Sequence, residues 1–290
     1  MALLHRALKQ SDRHAADVLK ALHSKWRSEH ARQHREMVGF RRRLRQRWER
    51  PFALFHMFKT VCRESGEALP NALSGTTANG RPLTARIVIE LHARSCQVLY
   101  EIITLIEGGF ADGAMSRCRT LHEIVVTAMC LQQGDEAVAA RYLDHQVVES
   151  WKAVQKDVRY QGRISERPPS QKAQQKLEGS LRRRSRPVRQ AVQGPMRLGR
   201  TPQERKPVFS DIELAVSLDH LRPYYQLASH PVHANSKGLY FKPGALGRRG
   251  RLASATGHGF ATPASTAVVS AVQLSSAQLS SAQLSSAQLS

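Results

Sequence analysis

"ARIVIELHARSCQVLYEIITLIEGG", Ala85 to Gly109, decides the fold. Ile87, Leu91, Val98, Ile102 and Leu105 recur at helical spacing, and Gly108-Gly109 supplies a C-terminal stop. The next stretch, "ADGAMSRCRTLHEIVVTAMCLQQG" (111–134), repeats the pattern through Met115, Cys118, His122, Val125 and Met129. A third, "DEAVAARYLDHQVVESWKAVQKDV" (135–158), carries Val138, Tyr142, Val148 and Trp151. The short connections imply antiparallel neighbours, so the expected class is all-α, a helical bundle with its core in 84–160.

Outward from that core the chain changes character. Residues 1–65 read as a basic helical arm containing "FRRRLRQRWERPFALF" (40–55), with Pro51 ending or kinking one helix. Phe52, Leu54, Phe55 and Phe58 open a further apolar run. Gly, Pro, Asn and Thr mark 66–83 as a loop. Residues 161–207 are Arg-, Pro-, Gln- and Ser-rich without apolar period, which predicts disorder. Order resumes over 208–245, where Ser210 and Glu213 form a capping box and Pro223 and Pro231 interrupt the helix. The five-residue repeat in "AVQLSSAQLSSAQLSSAQLS" (271–290) matches neither helix nor strand, so 246–290 is expected to be a disordered low-complexity tail.

The charge of +21 is unevenly spread. Residues 1–50 hold 14 Lys/Arg against 5 acids and 162–206 hold 13 against 3, while 86–161 hold 8 against 10. Two basic blocks flank a near-neutral core, so nucleic acid is a candidate partner through counterion release, and solvated tails are the plainer alternative. A protein partner is equally compatible with the pattern. No run of apolar residues reaches membrane-spanning length and no signal peptide is evident, which makes cytoplasm the expectation. Cys62, Cys96, Cys118 and Cys130 show no CxxC spacing, and the last three lie in helical apolar patterns as small hydrophobes.

The chemistry-bearing residues fall in two places. Arg119 and Glu123 share a helix face, with His122 beside them on the apolar stripe, and Glu90 and Arg94 repeat the spacing. The second place is "YYQLASHPVHANSKG" (224–238), with Tyr224, Ser229, His230 and His233. Were Arg119, Glu123 and His233 to meet across the bundle, glutamate could serve as base, arginine as anion clamp and histidine as acid. The alternative is an ion-pair network that fixes helix register. Ser229 lacks any nucleophile-elbow context, and Pro231 disturbs the spacing by which His230 and His233 could share a metal. Tyr224, Ser229, His230 and His122 then stand as binding candidates, with no cofactor and no metal expected. His145 reads as a rim histidine, and Trp48 and Trp151 as packing residues.

Three motifs carry a resemblance: "LIEGGFADGAMSRCRTLHEIVVTAMCL" (105–131), "AARYLDHQVVESWKA" (139–153) and "YYQLASHPVHANSKG". Together they resemble a bacterial domain-of-unknown-function family, number 5677, over roughly 83–160 and 208–245. The resemblance implies a helical domain and brings no established activity. The chain departs from the family pattern in 162–206, which contain no aromatic residue. Such composition, with the terminal repeat, is also what a shifted reading frame in a GC-rich gene produces, an idea that retranslating the coding DNA tests. Architecturally the chain is similar to the HEPN ribonucleases, but their arginine-to-histidine spacing is absent: Arg222 to His230 is too long and Arg141 to His145 too short. The expected function is therefore a binding or interaction module for a protein or nucleic acid, the alternative being a metal-independent ribonuclease-like enzyme centred on Arg119, Glu123 and His233.

Overall fold

A computed structural model describes residues 2–74, 81–163, 170–191, 208–233, 255 and 259–287, with side chains over 14–68, 81–163, 170–181, 208–233, 255 and 259–275. All regular structure among them is helical: α1 (Ala2–Arg47), α2 (Glu49–Ser74), α3 (Pro82–Glu107), α4 (Ala111–Gln133), α5 (Glu136–Tyr160), α6 (Gln171–Ala191), α7 (Phe209–Ala215), a 3₁₀ turn (Asp219–Leu221), α8 (Arg222–Ser229) and α9 (Ala261–Ala287). No described helix is long and apolar enough to cross a membrane.

α3 and α4 form the expected antiparallel hairpin. Its turn depends on Gly109, whose φ of 85° is left-handed, and an added Cβ there would lie 2.7 Å from the Phe40 ring. α4 is covered on most sides, so Ala114, Cys118, Leu121, Val125, Ala128 and Leu131 are all buried. Around it, Leu99, Ile102, Ile103 and Met115 meet Phe52 and Phe55 of α2 and Ala267 and Ala271 of α9 in one apolar core. A second cluster joins Val125 and Val126 to Ile212, Val216, Leu221 and Leu274.

Two reciprocal caps lock the ends of the hairpin. Arg81 donates to the carbonyls of Leu131 at 2.8 Å and Gln132 at 2.9 Å, and also to Gly134, placing a guanidinium on the negative end of α4. Glu136 accepts from the Leu83 N–H at 2.5 Å and the Thr84 hydroxyl at 2.6 Å, placing a carboxylate on the positive end of α3. Despite some desolvation, those bonds hold the Glu136 carboxyl below its ordinary value.

Several sequence expectations are corrected. The helical arm does not extend to residue 65, because α2 lies along α3 with Phe52, Phe55 and Cys62 buried. The break falls at Trp48, and Pro51 sits in the first turn of α2, where its missing N–H has no helical partner to lose. Residues 66–74 continue α2 and do not open the expected loop; Gly66 permits the close approach of His92, whose Nε2 donates to the Cys62 carbonyl at 2.9 Å. α5 does not pack along α4 beyond the turn joining them, since α8 and α9 occupy the remaining faces of α4. It leans on α3 and carries α6. α6 lies within the segment read as disordered: Ser170 caps it by accepting from the Ala173 N–H at 3.3 Å, and its Gln, Lys, Leu and Glu favour helix. The tail differs most. α9 occupies part of the 246–290 segment, and Phe260, Ala267, Ala271 and Leu274 align on one buried face despite the five-residue repeat.

Candidate functional site

The polar residues of α4 meet those of the α7–α8 segment in two layers. The sequence assigns Glu213 to a capping box with Ser210, but the helix begins two residues earlier than that register requires: Val208 is the N-cap, and Asp211 accepts its N–H at 2.8 Å. Glu213 is thereby turned inward and fully buried. Its two oxygens accept from His122 Nε2 at 2.8 Å and Arg222 Nη1 at 2.6 Å. A buried carboxylate with both oxygens satisfied is stable where a lone one is not. Burial holds His122 below its ordinary pKa, although Glu213 pulls the other way, so at neutral pH it is an uncharged donor.

The chain reaches this position through a Schellman turn. Leu218 N–H donates to the Glu213 carbonyl at 2.8 Å and Ser217 N–H to that of Leu214 at 3.1 Å, with Ser217 at φ 59° where glycine is usual. Pro223 then starts α8 in its first turn, where proline fits.

The outer layer holds the expected trio. Arg119 Nε donates to Glu123 at 3.0 Å, and its Nη1 lies 3.2 Å from His233 Nε2, so Arg119 bridges the other two. Its side chain is 26 % exposed and that of Glu123 39 %, so this layer faces solvent. Tyr225 joins the layers: its hydroxyl donates to Glu123 at 2.8 Å, and the guanidinium carbons of Arg119 and Arg222 each stand 5.0 Å from its ring centroid. Phe209 at 5.1 Å and His122 at 5.6 Å complete the aromatic cluster. Burial, followed by the bond to Glu123, keeps the Tyr225 phenol above its ordinary pKa.

The remaining candidates are placed less centrally. Ser229 donates back to the Tyr225 carbonyl at 2.8 Å and is an ordinary intrahelical hydroxyl. Tyr224 is half-exposed, and His230 is half-buried past the end of α8. His145 sits on the rim, 3.5 Å from Glu149 of its own helix. Arg94 turns to Gln97 at 2.6 Å and Glu101 at 3.4 Å. Ala234 to Gly238, the end of the quoted motif, lies outside the described residues. Sequence reasoning missed Glu213, Arg222 and Tyr225 as members. The available signal was His122 itself, since a histidine on an apolar stripe needs a buried partner.

No group of three or more His, Cys, Asp or Glu among the described residues is placed to hold a metal ion. The Cys118 thiol, pushed up to about 12 by burial, donates to the Pro263 carbonyl at 3.3 Å, which is a structural role. No curated protein and no solved structure matches the chain. Residues 85–244 match the model of a family described as a family of unknown function, DUF5677. That span covers more than half of the sequence and contains α4, α7, α8 and both polar layers, and the chain belongs to this family.

Proposed function

We propose that the chain is a binding module for a polyanion, the phosphate backbone of nucleic acid, with its contacts on the α1–α2 elbow. The carrying observation is the disposition of charge on that elbow. Arg41, Arg42, Arg43, Arg47 and Arg50 stand on well-exposed helix, and among the described residues no ion pair engages them. By contrast, both arginines of the polar layers are matched to carboxylates, Arg119 to Glu123 and Arg222 to Glu213. A paired guanidinium is a poor clamp for a further anion, and an unpaired exposed one releases counterions when phosphate binds.

The test is an anisotropy titration of labelled single-stranded RNA across salt. Replacing Arg41, Arg42, Arg43 and Arg47 by Gln should reduce the log–log salt slope by roughly 3, about 0.7 for each phosphate that is no longer neutralised. An unchanged slope removes the elbow from the interface.

A second reading, a metal-independent ribonuclease-like enzyme, is favoured by one observation: Arg119 brings Glu123 and His233 together at the solvent-facing layer. It requires that the bound RNA shorten with time and that His233→Ala stop this. RNA that stays intact through a long incubation with the parent protein ends that reading.

A further inference from the structure

The exposed apolar side chains of α1 and α2 fall on a single row. Leu19, Leu22 and Trp26 of α1 and Leu54, Met57 and Val61 of α2 are each more than half exposed. The second three lie 35 residues, or five heptads, beyond the first three, so all six share one alternation of three and four. The backbone keeps that row in step, because helical hydrogen bonds cross the break at Trp48. Trp48 N–H donates to the Leu44 carbonyl at 3.0 Å and Phe52 N–H to that of Trp48 at 2.9 Å. A row of this period drifts about 20° per heptad around a straight helix, so it winds from one side of α1 to another side of α2. Leu44, Phe52, Phe55 and Cys62, which face the core, stand off it, and Phe40 is where the row touches the core.

Between its apolar ends the row changes sign. Glu29 and Glu36 come first, then Arg43, Arg47 and Arg50. The two carboxylates share one cation, Arg32 of their own helix, which leaves a negative charge over. The three arginines stand exposed, and no ion pair among the described residues engages them. The order apolar, acidic, basic, apolar is complementary to itself when reversed. A second copy running antiparallel therefore sets apolar on apolar and acid on base. With Leu19 opposite the partner's Met57, Leu22 falls opposite the partner's Leu54, Trp26 opposite the partner's Arg50 and Glu29 opposite the partner's Arg47. An anionic bilayer or RNA along the same row would meet the arginines but be repelled by Glu29 and Glu36.

We propose that this row is the seam of an antiparallel homodimer, the α1–α2 face being covered by a second copy of the chain. Its six apolar side chains expose roughly 700 Å² per chain, so a twofold pair covers about 1,400 Å², within the range of about 1,200–2,000 Å² for stable interfaces. Every contact is made twice, since such an interface is isologous. The seam shares Arg43, Arg47 and Arg50 with the proposed phosphate surface and leaves Arg41 and Arg42 outside, so RNA and self-association compete for the shared three. The dimer does not rest on the polyanion reading, and it is measured without nucleic acid, so either can fail alone. At low concentration the seam is open and α1 is bare.

The test is sedimentation equilibrium of the full chain from low to high micromolar concentration, before and after nuclease treatment. The mass should double across that range in both samples. Leu22→Glu should weaken dimerisation at least tenfold and leave helical circular dichroism intact, since this exposed side chain is no part of the core. Glu29→Arg and Arg47→Glu should each weaken it about fivefold, each acting twice across the twofold, and the two together should restore the parental affinity. The proposal is overturned if the chain stays monomeric at high micromolar concentration or if nuclease abolishes the association. It is equally overturned if Leu22→Glu dimerises like the parent, or if the double exchange is no better than the single ones.

Discussion

Glu213 is the residue on which the α7–α8 segment depends. Glu213→Ala removes the partner of both His122 and Arg222, and truncating one member of a buried ionic set costs about 3–5 kcal/mol. A shift of the urea midpoint that converts to less than about 1 kcal/mol would show that water replaces the carboxylate. His122 gives this region a pH dependence whose sign is fixed. Burial lowers its folded pKa below the ordinary value of about 6.5, so the unfolded chain takes up the proton first. The stabilising contribution is complete above that value and is lost as pH falls from there through the lowered folded value. Urea midpoints at pH 7.5 and 5.5 should therefore differ, the lower pH being less stable, and His122→Leu should flatten this difference. Ser217 offers a change in the other direction: Ser217→Gly relieves the left-handed backbone at φ 59° and should stabilise by about 0.5–1 kcal/mol after the entropic cost of glycine. At this scale the sequence was half legible. It placed Arg119 and Glu123 on one face because spacing alone does that. It misassigned Glu213, because Ser210 with Glu213 is the local capping pattern, whereas the observed N-cap, Val208, has no side-chain acceptor and only its N–H is met by Asp211.

At the scale of elements, periodicity found α3, α4 and α5 because each carries large apolar residues at helical spacing. It failed at α9 for a physical reason. The buried face of that helix includes Ala267, Ala271 and Ser270, residues too small to register as an apolar stripe yet suited to close approach between backbones. Leu274 closes the face against Val125 and Val126 of α4. Leu274→Ala should cost about 2–5 kcal/mol, the usual range for a buried leucine, and chemical denaturation checks this. A variant that unfolds like the parent would mean that α9 is not part of the cooperative core.

Across the whole molecule, charge and packing divide the chain unevenly. Among the described side chains of α1, a helix of 46 residues and about 70 Å, those from His14 on join the core only near its C-terminal end, through Phe40 and Leu44. Upstream, Val18, Leu22 and Trp26 are exposed. A helix so little covered by its neighbours opens locally at low cost, so limited trypsin digestion should remove the chain before Arg41 well before it cuts 84–160. Simultaneous loss of both would show that α1 is protected by something beyond its own helical bonds. Composition announced the basic blocks, but nothing in composition distinguishes arginines on an ordered elbow from those of a solvated tail.

The contact between Trp48 and Phe260, edge to face with ring centroids 6.3 Å apart, gives the chain an optical reporter of its own seam. Trp48 sits at the elbow and Phe260 leads into α9, so the indole emission is coupled to whether the last helix is seated. With Trp26 and Trp151 replaced by phenylalanine, a red shift in fluorescence that precedes the loss of far-ultraviolet ellipticity would time the departure of α9 separately from the melting of the bundle.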